Sequence, residues 1–417
     1  MYMANSFIKI RQKFNNRKIE NIENVVLDEL HKHEPLVQPE SKIAIGLGSR
    51  GIFNLPLITK TVVDYLKGKG AKPFILPAMG SHGGANVNGQ IEVLKSYGIT
   101  QQQMGVPVLA TMDVVELSAG GLNNKVFMNR IAFESDGIIL INRIKPHTDY
   151  HSNIESGLIK MSVLGLGSHA QALEIHKFGV YGLKELIPKT AKVVLSTEKI
   201  IGGIGIVEDA YDHTMVIRFL ESDGFFMEEP ELLKCAKENM ATLPCKNIDV
   251  LIIKTMGKNY SGVGMDSNVI GRIKIRSEKE PAFPNIKGIV VTDITDESHG
   301  NALGVGLADV ITKRLFDKID FKATRENVRT SSFLERGKIP LVADTDQQAF
   351  DIALRGCGFL LPESARIVCI RNTSNLDELF ISKPVYQDIE NNRSVEKISD
   401  NHCLFDEAGR LIVFEKD

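Results

Sequence analysis

The chain has no tryptophan, and aromatic residues make up 6% of its 417 positions, so its core must be built from aliphatic side chains rather than around large rings. Its five cysteines, Cys235, Cys245, Cys357, Cys369 and Cys403, are odd in number and include no C-x-x-C pair. That excludes a disulfide framework and a zinc knuckle as organising devices. Neither sign of charge prevails: 50 basic against 52 acidic residues leave a net charge of -2, and neither nucleic acid nor an anionic membrane is expected as a partner. No apolar run reaches the roughly 18 residues of a membrane span, and charges from Lys9 onward leave no secretory apolar core. The expectation is a cytoplasmic protein acting on a small molecule.

What is present is a rhythm. With 43% hydrophobic residues, a chain of this length carries two cored domains. Strand patterns over 42–47, 73–77, 137–142 and 191–196 alternate with helical patterns over 57–68, 87–97 and from about 168. This is βαβ order, which builds mainly parallel sheets covered by helices. A helix over 229–241 runs into Leu243-Pro244-Cys245, and the rhythm restarts with strands over 249–253, 288–292 and 366–371 and helices over 302–318 and 344–354. The expected organisation is therefore α/β: a domain over 1–245 and another over 246–417, with the active site between them.

The residues that could carry chemistry lie just after strands, where open parallel sheets bind ligands. Gly46-Leu47-Gly48-Ser49-Arg50-Gly51 could cradle an anion, with Arg50 as its cation and Ser49 beside it. Gly80-Ser81-His82-Gly83 ends the next strand; its glycines let backbone approach a ligand, and His82 is placed as a general base. Pro146-His147 follows a third strand, and His151 is an alternative to His147. Lys160 lies within Leu158, Ile159, Met161, Val163 and Leu164, where a charged amine is costly unless paired or chemically used. His169 and His176, seven apart, share a helix face but are too few for a metal site by themselves. In the second half, the Gly-rich run from Gly257 to Asn268, with Asp266, Arg272 and Lys274, reads as a cofactor- or phosphate-binding segment. His299 and Asn301, in a segment that caps a helix, are substrate contacts on this reading.

Taken together and in this order, these motifs resemble the nickel-pincer lactate racemase superfamily from about Gly46 to His299: Ser49-Arg50, Gly80-Ser81-His82, Pro146-His147, Ser156-Gly157-Leu158-Ile159-Lys160, and His176 sixteen residues after that lysine. The resemblance implies a nickel ion held in pyridinium-3,5-bisthiocarboxylic acid mononucleotide, tethered through Lys160 and ligated by His176, with Ser81, Gly83, Asp266, Asn268, Arg272 and Lys274 around it. It implies inversion of a 2-hydroxy acid by hydride transfer from the α-carbon, with His82 or His147 taking the hydroxyl proton, and cofactor-biosynthesis enzymes as partners. Association with further copies of the chain is compatible with it.

The chain departs from lactate racemases where substrate is distinguished. It lacks their tryptophan, Gly271 replaces an expected glutamine, and about three extra residues separate His147 from Lys160. Lactate itself is therefore not expected; Asp149, His151, Asn153, Glu155, His299 and Asn301 suggest a larger hydroxylated acid such as a sugar acid. A metal-assisted dehydratase or lyase and a non-catalytic small-acid-binding protein of the same fold are the competing readings.

Overall fold

A computed structural model describes residues 7–414 except 50, 277 and 359–360. It is an α/β structure with mainly parallel sheets, and the chain divides into two compact units: Asn15–Met240, and the segment up to Phe14 together with that from Ala241 onward.

In the first unit a five-stranded sheet runs in the order Lys72–Pro77, Lys42–Leu47, Gly137–Arg143, Ile200–Glu208, Thr214–Glu221, and the last pairing alone is antiparallel. Its central strands are aliphatic on both faces: Ile43, Ile45, Leu47, Ile139 and Ile141 on one and Ala44, Ile138 and Leu140 on the other are at most 1% exposed, the pattern of a parallel sheet covered on both sides. Helices Leu55–Gly68 and Ile22–His31 pack one such face. Because four neighbouring strands run parallel, their carboxyl ends share one edge of the sheet, and Ser49, His82 and His147 follow three of those ends. Truncating a buried Ile here would cost about 2–5 kcal/mol, which is why the edge is a firm support.

The expected strand over 191–196 is in fact the helix Ile187–Leu195, and the strand follows at Ile200–Glu208. Thr190, Ala191 and Val194 turn one helical face into the core, which reads locally like a β-branched run. The true strand is disguised by glycines that close packing requires: a Cβ on Gly202 would stand 2.4 Å from the Leu220 carbonyl oxygen, and one on Gly205 2.7 Å from Ile144 Cδ1.

The second unit is an eight-stranded sheet: Leu341–Ala343, Val310–Thr312, Asn285–Ile294, Asn247–Met256 and Ile367–Ile370 are parallel, then Glu378–Ser382, Phe7–Gln12 and Val395–His402 continue antiparallel. Strand Phe7–Gln12 belongs here, so this unit is discontinuous in sequence, whereas the division expected near 245 kept those residues with the first half. The expected helix over 302–318 is also replaced: a short turn Val305–Leu307, strand Val310–Thr312 and helix Lys313–Asp317 occupy it. No helix among the described residues is long and apolar enough to cross a membrane.

Candidate active site

Two turns in the first unit meet backbone to backbone. Gly80 has φ +60°, and a Cβ there would lie 2.8 Å from the Leu164 carbonyl oxygen; its N–H donates to the Gly165 carbonyl at 3.3 Å. Only glycine permits that approach, and it sets the His82 turn against the segment that follows Lys160. In that segment the helix Leu158–Lys160 widens into a five-residue π turn, Met161–Gly165, a distortion that recurs at functional sites.

Ser49 and His82 come together: Ser49 Oγ is hydrogen-bonded to His82 Nδ1, and Tyr97 Oη fixes the Ser49 carbonyl at 2.7 Å. Ser49 thereby orients the imidazole. Ser49→Ala is expected to release the ring, shifting its tautomer ratio by about threefold to tenfold, one neutral hydrogen bond's worth. Ring ¹⁵N NMR of His82 reads this directly, and unchanged nitrogen shifts would exclude the orienting role.

The loop from Lys145 to Ser156 is closed at its base by a reciprocal backbone pair at 3.0 and 3.3 Å. Inside it Glu155, its side chain wholly buried, accepts from the amides of His147 at 2.6 Å and Ser152 at 3.1 Å and from Lys237 Nζ at 2.6 Å. Burial alone would raise its pKa, but hydrogen bonds from His151, Lys237 and those amides together hold it below the ordinary 4.5. Glu155 is thus the anchor of the loop and not a group offered to substrate. His151 is exposed, 3.6 Å from Glu155 Oε1.

His147 is placed from three sides. Its ring stacks on buried Tyr150 with centroids 4.6 Å apart; its Nδ1 accepts the Asp149 amide at 3.0 Å; its Nε2 lies 2.5 Å from Lys160 Nζ. His176 ends helix Ser168–His176, which Gln171 ties to the hairpin Val114–Leu117 and Val126–Asn129 through the Phe127 amide at 2.7 Å. Burial lowers the His176 pKa, the charge of Lys160 lowers it further, and Asp149 opposes. Its imidazole is therefore neutral near pH 7, the form that ligates metals. His147 and Lys160 are thus in contact, and His176 lies within electrostatic range of Lys160 and Asp149.

Reasoning from sequence missed Glu229. This residue is 1% exposed, its Oε2 accepts the Ile159 amide at 3.0 Å, and burial pushes its pKa up to about 7. The available signal was a carboxylate inside the apolar stripe Phe225, Leu232, Leu233, Ala236 of helix Phe225–Asn239. Arg50 lies outside the described residues; Ser81 and Gly83 flank His82 in its turn, Gly83 with φ +65°.

The remaining candidates belong to the other unit, where most serve its own loops. Asp266 caps helix Ser267–Ile270, accepting from the Asn268 amide and side chain at 2.9 Å each. Arg272 binds Asp309 at 2.6 Å and the carbonyls of Leu307 and Ile286 at 2.9 and 3.0 Å. Lys274, at φ +45°, donates to the Gly306 carbonyl at 2.8 Å; burial first, then Arg272, lowers its pKa. Asn301 bonds Asn327 at 3.2 Å and the Leu303 amide at 3.2 Å. His299 is exposed at φ +46°, after a short turn Asp296–Ser298 rather than at the start of the expected helix.

Neither a described protein family nor a curated protein sequence matches the chain. Among solved structures it is similar to the lactate racemase apoprotein from Thermoanaerobacterium thermosaccharolyticum, with TM-score 0.52 and 14% identity over 84% of this chain and 95% of that one. The chain has a lactate racemase-like α/β fold.

Proposed function

We propose that the chain is a racemase or epimerase of 2-hydroxy acids that carries nickel in a pincer nucleotide on Lys160. The observation that carries this reading is the contact of the Lys160 amine with the His147 imidazole, with a half-buried His176 within electrostatic range of Lys160. Among the described residues no group of three or more His, Cys, Asp or Glu side chains could hold a metal ion. An ion at this site would have to bring ligands of its own and take few from the protein. One imidazole and one reactive amine suit a metal delivered inside an organic chelate.

When bound, such a group would supply a soft nickel centre in a pyridinium framework that can take up a hydride from the α-carbon and return it. Lys160 would hold the nucleotide and His176 the metal. His82 and His147 follow separate strands on one sheet edge, and each would take or return the hydroxyl proton on one side of the substrate. Ser49 orients His82, and the Asp149 amide orients His147. Arg50 is assigned to the substrate carboxylate. With Glu155 and Asn301 engaged within the protein, the substrate class is 2-hydroxy acids, and polyhydroxy acids are one arm of the screen.

The test is nickel content and intact mass of protein made together with the cofactor-biosynthesis enzymes. Wild type is expected to hold near-stoichiometric nickel and a nucleotide adduct; Lys160→Ala loses the adduct, and His176→Ala keeps the adduct with less nickel. Nickel-free, unmodified wild type, with a known lactate racemase loaded in parallel, would overturn the reading.

A further inference from the structure

Glu229 is a buried carboxyl that the proposed chemistry does not use. The helix it serves opens at Leu158, and the position before it, where a side chain normally caps the first free amides, is Gly157, which has none. The cap comes instead from 70 residues along the chain: Glu229 Oε2 accepts the Ile159 amide at 3.0 Å. Gly157 makes the room, since a Cβ there would stand 2.5 Å from Glu229 Cδ. Asn142 adds a second tie, donating from Nδ2 to the Gly157 carbonyl at 2.9 Å. Lys160 is one residue past the capped amide, and its Nζ meets His147 Nε2.

We propose that Glu229 is a positioning residue for Lys160: threaded over Gly157, its carboxyl caps the helix that carries the lysine and so aims the amine at His147. This rests on the reading of Lys160 as the reactive lysine. The second carboxyl oxygen, Oε1, is buried and has no hydrogen-bond partner among the described residues. The Leu158 amide, with that of Ile159, also lowers the carboxyl's pKa against the effect of burial, and glutamine keeps an oxygen that accepts at the Oε2 position.

The experiment is competitive acetylation of the lysines of the intact chain with acetic anhydride, read by peptide mass spectrometry. In Glu229→Met, which keeps the volume and removes the cap, Lys160 is expected to label about threefold or more faster relative to the other lysines, the equivalent of a lost cap. Glu229→Gln should stay within about twofold of wild type, because its amide oxygen still accepts. Equal labelling of Lys160 in wild type and Glu229→Met, or Gln behaving as Met does, would overturn the proposal. Hydrogen exchange on wild type decides the case in which Glu229→Met does not fold: the Ile159 amide should exchange at least about tenfold slower than open chain, and open-chain exchange sinks the idea. Neither readout needs nickel or nucleotide. A wild type that proves nickel-free would remove the proposed function and leave the coupling of Glu229 to Lys160 decided on its own result.

Discussion

His147→Asn is expected to lower kcat/KM for inversion of a 2-hydroxy acid by about two to four orders of magnitude, the usual contribution of a positioned acid–base group. Asparagine retains the size and one polar end of the side chain but cannot shuttle a proton. The backbone of the site should survive the change, because the His147 amide remains tied to Glu155. Nickel content is accordingly expected to stay near the wild-type value, which separates a lost base from a lost cofactor. His151→Asn is the control: exposed, and turned toward Glu155 at 3.6 Å, it should alter kcat/KM by no more than about threefold. Kinetics with α-deuterated substrate add a second reading. If the two histidines act on the hydroxyl proton, the α-deuterium survives into the inverted product. A His147→Asn enzyme as active as wild type, or one in which His151→Asn is the damaging change, would remove His147 from the mechanism.

Glu155→Ala is expected to destabilise the first unit by on the order of 3 kcal/mol at neutral pH, the low end of the range for breaking a buried ion pair. The low end applies because Lys237 is 39% exposed and can be rehydrated, whereas Glu155 is not exposed at all. The amides of His147 and Ser152 would lose their acceptor as well. The dependence on pH carries a definite sign. The folded pKa of Glu155 lies below its ordinary value of 4.5, so the unfolded chain takes up protons first as pH falls. The stabilisation is fully present above about pH 4.5 and is lost as pH drops through the folded value. Denaturant titrations of wild type and Glu155→Ala at pH 7 and in progressively stronger acid should therefore converge, and a gap that does not narrow would contradict the role of the ionised carboxylate. Glu229 has the opposite slope: it is protonated in the fold up to about pH 7, so its contribution weakens as pH rises from 4.5 toward 7, by up to about 3 kcal/mol.

Several parallel strands were legible because they are short apolar runs between breaks, as at Ile43 to Leu47, Ile138 to Ile141 and Val250 to Ile253, whereas Val310–Thr312 was hidden within an expected helix. The failures have distinct causes. The Ile200–Glu208 strand carries glycines demanded by neighbours that are remote in sequence, and strand Phe7–Gln12 pairs with partners whose position no local window contains. In the site, His82, His147, Lys160 and His176 announced themselves by residue type and by their place after strands or in apolar surroundings. Their contacts did not. Ser49 turns out to face His82 rather than standing free for substrate, and Glu155, counted among the polar groups suited to a hydroxylated ligand, turns inward to hold its own loop. The apolar stripe around Glu229 marked it as buried, but its role was not legible, because a cap supplied from another helix has no signature at the helix it caps.

The place of strand Phe7–Gln12 also orders events during synthesis. Arg11 pairs with Glu378, 367 residues downstream, so at about 5–20 residues per second a ribosome leaves the strand without its neighbours for about 20–70 seconds. The unit Asn15–Met240 emerges in the meantime as one uninterrupted stretch, and its ends come to rest side by side, with Asn15 Nδ2 3.1 Å from Asn239 Oδ1. It can close while the early strand is still waiting. A bare strand bearing Phe7, Ile8 and Ile10 is an invitation to stray pairing, and Lys9 and Arg11, alternating with those apolar residues, are the charges that discourage it. Both later settle on Glu378. The two basic residues would then serve twice, first as guards on the nascent chain and afterwards as ion-pair partners in the finished sheet.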